Sequence, residues 1–195
     1  MYRYFAVYKP FGYLSQFSEE SGHPGLAKLG LSVPKDVWPV GRLDRDSEGL
    51  LLLTSDMKYK AMLTSPAHRH TKHYWVQVEG IPDASALNAL RQPMNLRING
   101  QLQKTKAAQV QILTAPNVPE RIPPIRHRAT IPTSWLAMTL TEGKNRQVRR
   151  MTAQVGLPTL RLLRVGIGQL DLRALNLASG ECVELNPEQL RLTQL

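Results

Sequence analysis

A chain of 195 residues, 42% of them hydrophobic, can bury a core of its own, which excludes disorder along its whole length. Its 25 lysine and arginine residues against 15 acidic residues give a net charge of +10, which favours a polyanionic partner. The single cysteine, Cys182, excludes a disulfide framework and a cysteine-ligated zinc site. No apolar run approaches the roughly 18 residues of a membrane-spanning helix, and the N-terminus lacks a signal-peptide pattern, so we expect a cytoplasmic protein with no membrane partner.

The first predicted element is a strand over residues 4–8, where aromatic and aliphatic residues alternate before the turn residues of 9–12. Residues 15–39 are rich in serine, glycine and proline, which predicts an excursion over the surface. A capped helix is expected over residues 55–63, with its apolar positions at 57, 61 and 62, and Pro66 ends this region.

The second half of the chain alternates between strand and helix patterns. A strand over 72–80 places Tyr74, Val76 and Val78 on one face, and a helix over 145–155 is expected to be capped by Asn145 in front and Gly156 behind. The other expected elements are a helix over 83–90, an Asn99-Gly100 hairpin, a strand continuing its sheet over 106–113, a long loop over 114–133 that could lie on a ligand, a strand over 135–140, two strands within 160–172 broken at Gly166 and Gly168, and a terminal helix from 186.

Residues 41–54 set a group of charged side chains directly against four leucines, Leu50 to Leu53. The leucines and Thr54 are typical of a short strand buried on both faces, and the polar residues before them of a turn at its start. Asp44 stands between Arg42 and Arg45, and nearby cations favour an ionised carboxylate, as a nucleophile requires. A turn capped by its aspartates, with both arginines solvated, is the simpler alternative.

A second charged group lies between residues 121 and 164, which contain nine lysines and arginines and a single acid, Glu142. Lys144, Arg146 and Arg149 fall near the start of a predicted helix, where the helix dipole disfavours cations unless an anion binds there. With Arg150 they form a candidate phosphate-binding surface. A solvated basic face is the alternative.

The fourteen residues 41–54 resemble the catalytic motif of pseudouridine synthases of the RsuA/RluE type, G-R-L-D-x-x-(S/T)-x-G-L-L-x-L-T, whose aspartate is the nucleophile. Residues 9–12 are similar to the first motif of this family, and residues 142–151 to its third. In the third motif a basic residue pairs with the aspartate; arginine fills this position in most branches and lysine in this one, which corresponds to Lys144. Tyr74 falls where the family has a tyrosine that stacks on the target base, although without the resemblance a core aromatic is an equal alternative.

The resemblance implies an α+β fold with a mixed, largely antiparallel sheet, a few flanking helices and a central basic cleft. It implies a single catalytic domain over residues 1–195, or two lobes around that cleft, with no S4 domain ahead of it, as in the RluE subgroup that acts on large-subunit ribosomal RNA. The implied enzyme is a monomer that needs no cofactor or metal. It isomerises one uridine of ribosomal RNA, expected to be 23S RNA, either in the RNA itself or in a pre-ribosomal particle. Asp44 would be the nucleophile, Lys144 its ionic partner and Tyr74 the support of the base, with Arg42 filling the gap in the RNA. The expected RNA-binding residues are Arg42, Arg45, Arg146, Arg149 and Arg150.

Two other classes of function remain open from the residues alone. A non-catalytic RNA-binding or ribosome-assembly protein would explain the charge but not the acidic turn. A hydrolase or nucleosidase would use Asp44 together with Asp46 or Glu48, provided that both carboxylates line one pocket; in the predicted turn Asp46 and Glu48 face solvent. The histidines of 68–73 are a poor zinc site because Arg69 and Lys72 interrupt them, so RNA contact or a strand edge is favoured.

Overall fold

The structure, a computed structural model, describes residues 1–65 and 67–194; Pro66, expected to end a helix, lies outside them. Its strands are β1 Tyr4–Lys9, β2 Trp38–Pro39, β3 Glu48–Thr54, β4 Lys72–Glu79, β5 Asn95–Ile98, β6 Gln101–Lys104, β7 Gln109–Leu113, β8 Thr133–Leu140, β9 Thr159–Ile167, β10 Leu170–Asp171 and β11 Cys182–Glu184. Its helices are α1 Met57–Thr64, α2 Ala84–Arg91, α3 Gln147–Gln154 and α4 Pro187–Leu192. The chain divides into two compact units: a first unit of Met1–His70 with Leu163–Leu195, and a second unit of Thr71–Leu162.

The first unit is built around β1 and β3. These two strands pair antiparallel along their whole length, and β11 pairs with the other edge of β1. The middle of β9 runs parallel to the start of β3, so that Glu48 lies opposite Leu163. All seven residues of β3 are buried, which confirms the strand predicted from its four leucines.

The excursion predicted over residues 15–39 is only partly a surface feature. Leu26, at the start of a 3₁₀ helix over Leu26–Leu29, and Val37 are fully buried in the core of the first unit, where they pack with Phe5, Val7 and Leu51. A serine- and glycine-rich composition marks irregular backbone, but it does not decide whether the few apolar side chains within it reach the core.

The second unit contains the antiparallel strands β4, β8 and β7, in that order. The residues of β4 predicted to share a face, Tyr74, Val76 and Val78, are buried together in its core. The Asn99-Gly100 turn joins β5 and β6 as predicted, but this hairpin forms a two-stranded sheet of its own. The strand predicted over 106–113 instead pairs with β8, so its alternation identified a strand but not its partner.

Three helix and strand boundaries differ from the predictions. The Asp56 carboxylate caps α1 by accepting from the N–H groups of Lys58 and Tyr59, so the helix begins at Met57. The buried face of this helix carries Tyr59 and Leu63, whereas Met57 is 47% exposed. In the second unit, α3 begins at Gln147 rather than near Asn145, because Arg146 adopts a left-handed conformation with φ of 49°.

The third difference concerns β9, which continues through Gly166 and ends at Ile167. The chain reverses at Gly168, whose φ is 59° and where a Cβ would crowd the Leu192 carbonyl.

The predicted terminal helix is present as α4, with Asn186 forming a capping box. The described residues thus confirm a mixed α+β fold with a largely antiparallel sheet, and no helix among them is long and apolar enough to cross a membrane.

Candidate active site

Asp44 lies in a tight turn at the start of β3. The Ser47 N–H donates to the Asp44 carbonyl at 3.0 Å, which closes the turn one residue before the strand begins. On the preceding side, Leu43 is only 7% exposed and packs in the core of the first unit. Asp44 is therefore half-buried at the boundary of the core, with the backbone leading into it fixed by an apolar anchor.

The start of β3 lies unusually close to β9. Gly49 has a φ of 104°, and a Cβ on this residue would overlap the backbone carbonyl of Arg164, so only glycine fits here. Arg164 is itself buried and donates from Nε to the Leu50 carbonyl at 2.8 Å. The glycine of the motif thus allows the two strands to meet immediately after the turn that carries Asp44.

A buried lysine provides positive charge near the acidic turn. Lys9 is fully buried, and its ammonium group donates to the carbonyls of Pro10 at 2.8 Å and Tyr13 at 2.7 Å, and lies 3.4 Å from that of Arg45. These three carbonyl oxygens replace part of the hydration that the ammonium group loses on burial.

The acidic side chains around Lys9 act on its ionisation. Burial lowers the pKa of Lys9 to about 7, whereas the carboxylates of Glu48, Asp46 and Asp44 act in the opposite direction by favouring the charged form. Glu48 has the largest effect of the three, and it is only 3% exposed at the first position of β3. The expectation that Glu48 faces solvent in a turn is therefore wrong; the strand begins two residues earlier than its leucines indicate.

The two arginines that flank Asp44 in the sequence are both exposed. The Arg45 guanidinium donates from Nη1 to an imidazole nitrogen of His23 at 2.7 Å, so this arginine is directed towards the irregular segment before β2. Arg42, Asp44 and Arg45 share the turn at the start of β3, and the placement of the Asp44 carboxylate between the two guanidinium groups stays a prediction.

Lys144 lies in the loop between β8 and α3, in the second unit. Its ammonium group is 3.9 Å from the Glu142 carboxylate, and its backbone N–H donates to the Gln147 side-chain oxygen at 2.9 Å. The amide nitrogen of buried Gln147 donates in turn to Glu142, which also accepts from the Lys106 N–H, both at 2.7 Å. Glu142 and Gln147 therefore hold the loop that carries Lys144 from both ends.

The three arginines around the start of α3 differ in what they contact. Arg146 is exposed at the first turn. Arg150 is half-buried and donates to the carbonyls of Arg97 at 2.9 Å and Asn145 at 3.2 Å, and Arg149 is half-buried with Nη1 3.5 Å from the Thr159 carbonyl. Arg149 and Arg150 therefore have contacts within the fold in addition to any ligand contact expected of them.

Tyr74 is 9% exposed and belongs to the apolar core of the second unit. It pairs with Met138 across the β4–β8 ladder, near the end of β8 from which the Lys144 loop departs. Asp44 thus belongs to the first unit, and Tyr74 and Lys144 to the second; their assigned roles stay predictions.

The histidines weighed as a metal site have other contacts. His68 and His70 stack with ring centroids 5.9 Å apart, and His73 Nδ1 lies 2.9 Å from the Thr139 hydroxyl. Over residues 1–65 and 67–194, no three histidine, cysteine, aspartate or glutamate side chains are grouped so that they could hold a metal ion.

Several residues that support the site were not identified from the sequence. The sequence places Lys9 in a turn and indicates no role for Glu142 or Gln147. Only Lys9 has a signal in the sequence, since it lies in the first family motif, and it is the buried last residue of β1. Glu142 and Gln147 act through specific side-chain hydrogen bonds, to each other and to the Lys144 and Lys106 N–H groups, which no spacing rule predicts.

Comparison with known proteins identifies the family. A family model described as RNA pseudouridylate synthase matches residues 3–154. A relative from Xanthomonas axonopodis pv. citri, named ribosomal large subunit pseudouridine synthase E, is 52% identical over 168 residues, 86% of this chain and 86% of the relative. One of the same name from Vibrio vulnificus is 48% identical over 91% of this chain and 73% of the relative. A crystal structure of a pseudouridylate synthase has a TM-score of 0.80 at 27% identity, over 99% of this chain and 74% of that one. The chain therefore belongs to the RNA pseudouridylate synthase family, as its resemblance to the RsuA/RluE type indicated.

Proposed function

We propose that this protein isomerises one uridine of large-subunit ribosomal RNA to pseudouridine, with Asp44 as the nucleophile. The observation that carries the assignment of Asp44 is its position: a half-buried carboxylate in a tight turn, anchored by buried Leu43 on one side and by the fully buried strand β3 on the other. The choice of RNA rests on the relatives named ribosomal large subunit pseudouridine synthase E, which share about half of their aligned residues with this chain. We extend the proposal to a cytoplasmic monomer that acts on 23S RNA or on a pre-ribosomal particle.

The reaction moves a glycosidic bond within one nucleotide. The bond between N1 of the uracil and C1′ of the ribose breaks, the detached base turns, and a bond forms between C5 and C1′. The proton on C5 is lost and N1 gains one, so the product is an isomer of the substrate. Because the glycosidic bond is inaccessible in a stacked helix, the nucleotide first leaves the stack.

The Asp44 carboxylate promotes cleavage of the N1–C1′ bond, either by attack on the sugar or by another route in which it must be ionised. Asp44 favours the charged form of the buried Lys9, so the two groups attract each other. In this proposal Lys144 supplies a second positive charge, and the hydrogen bonds of Glu142 and Gln147 hold its loop in place. Tyr74 holds the detached base while it turns.

The basic residues bind the RNA. A net charge of +10 favours a polyanion in general. Arg42 is exposed beside the nucleophile, where it fills the gap that the flipped nucleotide leaves, and exposed Arg45 and Arg146 contact phosphates. Arg149 and Arg150 are half-buried, so the exposed part of each guanidinium group makes the phosphate contacts.

The test uses a large-subunit ribosomal RNA transcript that carries tritium at C5 of its uridines, because formation of the new bond releases this tritium. Asp44→Asn is nearly isosteric, and we expect it to reduce single-turnover tritium release to below roughly one thousandth of the wild-type rate. Its affinity for the RNA should change little, because phosphate contacts supply most of the binding. Asp46→Asn is the matched control, since it makes the same substitution two residues along the same turn, and it should retain turnover.

Three results would contradict parts of the proposal. A rate for Asp44→Asn within about tenfold of wild type removes the nucleophile assignment. Release of free uracil, in place of pseudouridine, identifies a hydrolase. Pseudouridine that is unchanged in the large-subunit RNA of cells lacking the protein, but missing from the small-subunit RNA, corrects the substrate.

A further inference from the structure

The peptide groups next to Asp44 are held by a single serine side chain. The Leu43 N–H donates to Ser15 Oγ at 2.9 Å, and the Ser15 O–H donates to the Leu43 carbonyl at 2.8 Å. The Ser15 hydroxyl thus both donates to and accepts from the backbone of Leu43, as a residue of a neighbouring β-strand would. Leu43 precedes Asp44 directly, so this pair of bonds fixes the chain as it enters the turn.

The chain is also fixed on the far side of Asp44. The Gly12 N–H donates to the Arg45 carbonyl at 2.8 Å, and the Lys9 ammonium lies 3.4 Å from the same oxygen. Lys9, Gly12 and Ser15 therefore form a clamp, all three from one seven-residue segment, that holds the residues on both sides of Asp44.

Ser15 is itself firmly placed. The Leu14 N–H donates to the Pro24 carbonyl at 2.9 Å, and the Leu26 N–H donates to the Gln16 carbonyl at 2.7 Å, so the backbone on either side of Ser15 is tied to residues 24–26. Leu26 is fully buried in the core of the first unit. The backbone that carries the Ser15 hydroxyl is thus held against the core, and its two hydrogen bonds to Leu43 restrain the position of Leu43.

We propose that Ser15 is a positioning residue for the isomerisation, an inference that rests on the proposed role of Asp44. Rotation of the backbone at Leu43 would swing the Asp44 carboxylate relative to the sugar it attacks, and the two bonds to Ser15 resist that rotation. Loss of the hydroxyl leaves a buried N–H and carbonyl without this partner and frees the entry to the turn. A nucleophile displaced by a fraction of an ångström loses rate although the substrate still binds.

The experiment compares Ser15→Ala and Ser15→Thr with wild type in single-turnover tritium release over a range of protein concentrations. For Ser15→Ala we expect the saturated rate to fall roughly tenfold to a hundredfold while the half-saturating concentration stays constant. Ser15→Thr keeps the donor and acceptor and should recover the rate to within about threefold of wild type. Ser55→Ala is the matched control: its hydroxyl also accepts a backbone N–H, from Arg3 at 3.0 Å, but at the opposite end of β3. It should lose stability without losing rate.

Melting temperatures of all four proteins separate positioning from unfolding. The proposal is overturned if Ser15→Ala keeps the wild-type rate, if Ser15→Thr is as slow as Ser15→Ala, or if the losses in Ser15→Ala and Ser55→Ala both follow their unfolded fractions. A wild-type protein that forms no pseudouridine on any ribosomal RNA overturns the proposed function itself. Normal wild-type turnover with an unaffected Ser15→Ala variant overturns only the role of Ser15.

Discussion

Substitution of the buried Lys9 near the acidic turn should change how the stability of the protein depends on pH. In the unfolded chain a lysine has a pKa of about 10.4, whereas burial lowers the pKa of Lys9 in the folded protein to about 7. Between these two values the unfolded state binds a proton that the folded state does not. The contribution of Lys9 to the free energy of unfolding therefore rises as the pH increases above 7 and is lost as the pH falls through 7.

The size of the effect follows from linkage. One proton bound by the unfolded state alone changes the free energy of unfolding by at most about 1.4 kcal/mol per pH unit, and partial protonation near pH 7 reduces this to about 1 kcal/mol per unit between pH 7.5 and 9. Lys9→Met keeps much of the side-chain volume and has no titrating group. We expect its stability curve to be flatter than that of wild type by this amount, in addition to a constant loss because the carbonyls of Pro10 and Tyr13 lose a donor.

Urea unfolding of wild type and Lys9→Met at half-unit steps from pH 7 to pH 9 measures the difference. Lys58→Met is the control, because it removes a lysine that is exposed on α1 and so reports the effect of net charge alone. Curves for wild type and Lys9→Met that run parallel within about 0.3 kcal/mol per pH unit would refute the argument that Lys9 is buried with a depressed pKa.

Two further predictions concern residues of the second unit. Tyr74→Phe keeps the ring and should bind RNA and turn over, whereas Tyr74→Leu, checked for folding by its melting temperature, should lose more of the rate; if both match wild type, Tyr74 is a core residue only. Lys144→Met should lower the rate and raise the apparent pKa of the acidic limb of the pH–rate profile, with partial recovery in Lys144→Arg. Arg149→Met, the control for Lys144→Met, should instead weaken RNA binding and reduce the salt slope by about one unit at an unchanged pH profile. An effect of Lys144→Met on salt-dependent affinity alone would make Lys144 another phosphate contact.

Local sequence predicted the centre of the first unit because the relevant physics is local. A short run of four leucines bounded by turn residues is typical of a strand covered on both faces, and the charged residues before them cannot enter the core without partners. The turn at Asp44 and the burial of β3 follow from these two facts. In the same way, the alternation of Tyr74, Val76 and Val78 is enough to identify the buried face of β4.

The start of α3 shows where local reasoning fails. Asn145 is a favourable cap by residue type, yet the left-handed backbone of Arg146 shifts the helix start to Gln147. The side chain of Gln147 accepts from the Lys144 N–H and donates to Glu142, and these two contacts hold the helix start at Gln147. Residue-type preferences for caps amount to about 1 kcal/mol, so two part-buried hydrogen bonds can override them.

The support of Asp44 could not be predicted because it comes from residues that are distant in sequence. Ser15 lies 28 positions before Leu43, in a segment whose composition indicates only irregular backbone. Lys9 ends a buried strand, where a charged residue is expected to project into solvent, and its burial depends on carbonyl groups that a turn and the Asp44 loop bring to it. Contacts of this kind are fixed by the tertiary fold and leave no periodic pattern in the sequence.

The burial of Glu48 bears on which class of enzyme the acidic turn serves. A glycosidase of the inverting or retaining kind needs two carboxylates that both reach the glycosidic bond, one of them often through water. Glu48 is only 3% exposed, and its effect on the pKa of Lys9 is larger than that of Asp44 or Asp46. Its charge therefore balances a buried ammonium group, which leaves half-buried Asp44 better placed than Glu48 to act on a ligand. Asp44 and Asp46 both stay half-buried in the turn, and the isomerisation needs only one of them, because it does not need a second acid to deliver water.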